Sequence, residues 1–141
     1  MSSSVLADTG AIYAFVVRSD RHHAQARRFV RRWLARSGSF ILSDAVFAET
    51  MTLLKARVGG AIAVRVGREL RGNPAYTWIA LGPDGEAETW NVFQRYEDKE
   101  WSFTDCALFV LARKLGVHAV FGFDRHFAQM PEITLLPALS Q

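Results

Sequence analysis

Cysteine is nearly missing from this chain: Cys106 stands alone among 141 residues. A single thiol excludes an internal disulfide and a cysteine zinc cluster. Its place in the apolar stretch Cys106 to Ala112 marks it as a core residue and not a nucleophile. Lysine is scarce too, with three (Lys55, Lys99, Lys114) against fourteen arginines. Long apolar runs are absent. The stretch Ala11 to Val17 is among the longest, and a membrane-spanning helix needs about 20 such residues. The N-terminus has no basic start followed by a long apolar stretch, and Asp8 interrupts it early. A soluble, cytoplasmic protein with no membrane association is therefore expected. No repeat, low-complexity tract or linker divides the sequence, so residues 1–141 read as one domain.

What is present is half hydrophobic by count and carries a net charge of +3 with a pI of about 9.4. An arginine-rich, modestly basic surface is compatible with nucleic acid or with an acidic protein partner.

The pattern alternates strands and helices, which predicts an α/β fold with a mostly parallel sheet. Strands are expected at Ser4 to Asp8, Phe40 to Ser43, Tyr76 to Leu81 (an edge), His118 to Phe123 and Ile133 to Leu136. Helices are expected at Gly10 to Val17, His22 to Ser37, Asp44 to Val58, Ala61 to Leu70, Pro83 to Tyr96 and Ser102 to Leu115, with a short one from Asp124. Gly59-Gly60 should break the third helix from the fourth, Gly72-Asn73-Pro74 should turn, and Gly116 should end the sixth helix.

Four carboxylates interrupt or end apolar segments: Asp8, Glu49, Asp105 and Asp124. An unpaired carboxylate is costly to desolvate, so such groups should be paired, protonated or bound to a cation. Three have ordinary explanations. Asp8 suits the N-cap of the first helix, Asp124 the N-cap of the short one, and Ser102 to Asp105 has capping-box spacing. Glu49 lies mid-helix, where capping cannot account for it but an ion pair with an arginine could. Ligands of open parallel sheets bind beyond the carboxyl ends of the strands, and Asp8 and Asp124 stand at two such ends. If all four acids converge, they suit a hard divalent ion, Mg²⁺ or Mn²⁺, and hydrolysis of a phosphodiester. Without metal, some of them should hold a proton above the usual carboxylate range.

The order Asp8-Thr9, Glu49-Thr50, Ser102-Phe103-Thr104-Asp105-Cys106 and Phe123-Asp124-Arg125-His126-Phe127 resembles the PIN domain over nearly the whole chain. More narrowly it resembles the toxin of a VapC-type toxin–antitoxin pair. The resemblance implies a three-layer sandwich and a Mg²⁺-dependent endoribonuclease. It also implies a homodimer inhibited by a small antitoxin protein. By that likeness Asp8 and Asp105 are the most direct metal ligands, Glu49 and Asp124 complete the catalytic cluster, and Thr9 and Thr104 are hydroxyls supporting the acids. Gly122 departs from the family, which often has a hydroxyl residue there.

Arg125 and His126 adjoin the cluster and could touch substrate phosphate. Arg27, Arg28, Arg31, Arg32 and Arg36 share one helix, as a solvated face or as a rail for RNA or an acidic antitoxin. His22 and His23 look incidental. Two rival readings remain. One is a non-catalytic RNA- or protein-binding module of the same fold. The other is a phosphotransferase using Asp8, disfavoured because Asp8-Thr9-Gly10 lacks a second Asp two places on.

Overall fold

The computed structural model describes residues 3–138. In chain order the elements are β1 (Ser4–Ala7), α1 (Thr9–Val16), α2 (His23–Ala35), β2 (Ser39–Ser43), α3 (Asp44–Val58), α4 (Gly60–Gly72), β3 (Tyr76–Ile79), α5 (Gly82–Arg95), α6 (Phe103–Leu115), β4 (Ala119–Phe121), a 3₁₀ turn (Arg125–Gln129) and β5 (Thr134–Leu136). The strands form one sheet in the order β3-β2-β1-β4-β5, and every pairing is parallel.

A parallel sheet covered by helices on both faces has strands that read as continuous apolar runs. β1 shows this: Val5, Leu6 and Ala7 are fully buried at the centre. Leu6 pairs with Ile41 on one side and with Val120 on the other. The core continues through Phe40, Leu42, Val46 and Leu108, all buried. Cys106 is buried there too, and desolvation pushes its thiol up to about 11, which leaves it inert.

The boundaries depart from the sequence reading where backbone chemistry intervenes. Gly59 alone, at φ 99, makes the break between α3 and α4. α4 then runs on into the expected turn and ends at Gly72. β4 stops at Phe121 because Phe123 leaves the ladder and stacks on His22. The chain after Asp124 winds as a 3₁₀ turn. α2 ends against the sheet through Trp33, whose indole N–H donates to the Ser39 carbonyl at 2.8 Å. Residue 38 must be glycine, since a Cβ there would lie 2.6 Å from the Trp33 ring. Among the described residues no helix is long and apolar enough to cross a membrane.

In this strand order the connections diverge on either side of β1. The carboxyl ends of β1 and β4 therefore flank the point where a parallel sheet opens a crevice. Asp8 follows β1 and Asp124 follows β4.

Candidate active site

A cleft of about 870 Å³ opens at that point, and Asp8, Glu49, Asp105 and Asp124 all line it. Thr9, Arg125 and His126 line it as well, whereas Thr104 does not.

Helix starts position three of the acids. The Gly10 N–H donates to Asp8 Oδ2 at 3.3 Å, capping α1. The Ser102 N–H donates to Asp105 Oδ2 at 2.9 Å and the Asp105 N–H donates to Ser102 Oγ at 3.0 Å, a complete capping box on α6. The His126 N–H donates to Asp124 Oδ1 at 2.9 Å. Capping and membership of one cleft therefore coincide in the same side chains. Each helix start also directs its positive end toward the gathered charge.

Burial divides the four. Asp8 and Asp105 are buried, at 6% and 9% exposure. Glu49 and Asp124 are exposed at the rim, although each lies in or at the end of an apolar segment of the sequence. α3 buries itself through Val46, Thr50 and Leu54, and this turns Glu49 toward the open cleft. No arginine pairs with Glu49 among the described residues, so the ion-pair explanation does not hold.

The electrostatics follow from this arrangement. Burial, then the neighbouring Asp105, push the Asp8 carboxyl up to about 8 from 3.8, and Glu49 and Asp124 add to the shift. Burial also raises Asp105, opposed by its hydrogen bonds with Ser102. The His126 imidazole sits among the acids. Its Nδ1 is 3.2 Å from Asp124 Oδ1 and 3.6 Å from Asp105 Oδ2, and its Nε2 is 3.7 Å from Glu100.

The donors suit a hard cation. Neither Asp8 nor Asp105 has a lysine or arginine partner among the described residues. The Thr9 hydroxyl is buried without a hydrogen-bond partner, and each capping aspartate spends one oxygen on its cap. Among the described residues no group of three or more His, Cys, Asp or Glu side chains is close enough together to hold a metal ion by itself. At Gly122 an added Cβ would lie 3.5 Å from the Asp8 Cβ. A side chain there would face Asp8, and glycine leaves that contact unmade.

Sequence reasoning missed Asp20, Arg21, His22, Gln25 and Glu100, all of which line the cleft. Glu100 had a signal, since it precedes the Ser102 cap by two residues. His22 had none. Adjacent histidines in a polar loop look solvent-facing, yet the His22 ring stacks on Phe123 with centroids 4.4 Å apart and planes 2° from parallel.

The parallel sheet and the acidic cleft at its switch point define the class. The family model described as the PIN domain matches residues 5–133, and the chain belongs to the PIN domain family. Among individual proteins it is similar to the 23S rRNA-specific endonuclease VapC20 of Mycobacterium tuberculosis. The two are 27% identical over 133 residues, 94% of this chain and 98% of that protein. The same match recurs in a second strain. The crystal structure of Mycobacterium tuberculosis VapC20, described as a sarcin–ricin loop cleaving toxin, aligns with a TM-score of 0.81 at 27% identity, covering 92% of this chain and 98% of that one. The α/β class and the likeness to a VapC-type toxin, both read from the motifs, are borne out.

Proposed function

We propose that this protein is an endoribonuclease toxin of the VapC type, dependent on Mg²⁺ or Mn²⁺. The convergence of Asp8, Glu49, Asp105 and Asp124 on one cleft, with no lysine or arginine paired to the buried two among the described residues, carries this reading. A bound divalent ion supplies charge neutralisation at the phosphate and acidifies water for attack.

The protein's own groups do the rest. Asp8 and Asp105 offer the ion the oxygens that their helix caps leave free. Thr9 offers a hydroxyl beside Asp8. Glu49 and Asp124 at the rim orient water and hold it near the phosphate. Arg125 is exposed on the cleft edge, where a guanidinium suits phosphate oxygens. His126 Nδ1 lies 3.2 Å from Asp124 Oδ1 and 3.6 Å from Asp105 Oδ2, is buried without a hydrogen-bond partner, and is placed to exchange a proton there.

The similarity to VapC20 supports structured ribosomal RNA as the substrate to test first. The PIN and VapC-type resemblance leads us to expect an antitoxin protein and a homodimer as partners. The exposed aromatic group Trp90, Phe93 and Phe103, close to the cleft residue Ser102, supports contact with a protein partner.

The test is cleavage of a sarcin–ricin-loop RNA hairpin by the purified protein. We expect cutting with Mg²⁺ and none with chelator. Asp105→Asn should lower the rate by about two orders of magnitude or more, the scale of losing one electrostatic partner of a transition state. Its circular dichroism should be unchanged, since asparagine keeps a capping oxygen. Cutting that persists in chelator would remove the metal from the mechanism. Binding without cutting would favour the non-catalytic module.

A further inference from the structure

We propose that the outward row of α2, Arg28, Arg32 and Arg36, is the track that carries substrate RNA away from the cleft; this rests on the nuclease reading above. Gln25, Arg28, Arg32 and Arg36 recur at three- and four-residue steps and so share one face. Ala26, Val30 and Trp33 bury the neighbouring face, and all three arginines are exposed. At 1.5 Å per residue the row is about 16 Å long, which is roughly five nucleotides of a stacked strand.

Three observations point to a polyanion on this row. First, α2 contains no acidic residue, and no arginine of the protein pairs with a carboxylate among the described residues. Arg28 and Arg32, Arg32 and Arg36, and Arg27 and Arg31 are like-charge neighbours four residues apart. Each such pair disfavours the helix, and bound phosphates would reverse that sign. Second, the Arg36 guanidinium lies over the Trp33 ring, 5.4 Å from its centroid, so the far end of the row is held in place.

Third, the near end is fixed to the cleft. Arg21, His22 and Gln25 line it. The Arg21 Nε–H donates to His22 Nε2 at 3.1 Å, which leaves His22 Nδ1–H to donate to Gln25 Oε1 at 3.3 Å. The His22 ring stacks on Phe123, next to Asp124. Six carboxylates line the cleft, and they repel RNA until cations offset them. A cationic row starting at its edge supplies the attraction that the cleft lacks.

The experiment measures binding of a fluorescent sarcin–ricin-loop hairpin across a salt series, in Asp105→Asn protein so that the probe survives. The variant R28Q/R32Q/R36Q is compared with R65Q/R68Q/R95Q, which removes the same charge from α4 and α5. We expect the α2 variant to bind at least tenfold more weakly. Its slope of log K against log salt should shrink by about 2, at roughly 0.7 per lost single-strand phosphate contact. The control should lose much less. Equal losses in the two variants, or none in either, would overturn the track and leave cleavage by the wild-type protein untouched. Failure of the Asp105→Asn protein to bind the hairpin, together with failure of the wild-type protein to cut it, would overturn both readings.

Discussion

Asp8, Asp105 and Asp124 each do two things with one side chain. Each closes the open end of a helix or 3₁₀ turn, and each presents a carboxylate to the cleft. The caps fix these side chains, so little rotamer freedom remains to be lost when an ion arrives. The cost shows in Asp8, whose carboxyl is pushed up to about 8 by burial and by Asp105. Between pH 3.8 and about 8 the native carboxyl keeps a proton that the unfolded chain gives up. Metal-free protein should therefore lose stability as pH rises through that window and level off above it. Asp8→Asn retains the cap and removes the charge, so the part of the slope due to Asp8 should vanish and only that of the raised Asp105 carboxyl should remain. At pH 9 the variant should exceed the metal-free wild type by roughly 2–5 kcal/mol, since each tenfold change in proton affinity is worth about 1.4 kcal/mol. Urea unfolding in chelator at a series of pH values measures this, and parallel curves for the two proteins would refute it.

At the scale of elements, α6 shows how much a short motif can convey. Ser102-Phe103-Thr104-Asp105 reads as a capping box in sequence and is one in the structure. Ser102→Ala should cost about 1 kcal/mol of stability. It should also lower cleavage more than that loss explains, because Asp105 would lose one of its tethers. Thermal melts and rates measured well below the melting point separate the two effects. The order of strands and helices was equally legible, because alternating apolar runs and glycine breaks are local signals. The depth of Glu49 was not. Its flanking sequence is apolar, yet exposure depends on which face α3 turns to the sheet, and that is set by packing. The role of His22 was hidden for the same reason, since its ring meets Phe123 across about 100 residues of sequence. The ends of β4 and α4 shifted because they depend on single backbone hydrogen bonds and on the φ of Gly59, which composition does not reveal.

At the scale of the molecule, charge is sorted. Six of the fourteen carboxylates line one cleft, while the exposed arginines of α2 have no carboxylate partner among the described residues. The topology fixes when this arrangement can exist. β1 lies mid-sheet between β2 and β4, and Leu6 meets Val120 more than a hundred residues later in the chain. A polypeptide ending at Gly116 would lack β4, β5 and Asp124, and would leave a side of the central strand bare. It should show no cooperative melt and no RNA cleavage, and a sharp melt by circular dichroism would contradict this. A growing chain leaves the ribosome at about 5–20 residues per second. Asp8 therefore waits for Asp124, and the four acids share one cleft only after β4 has been made.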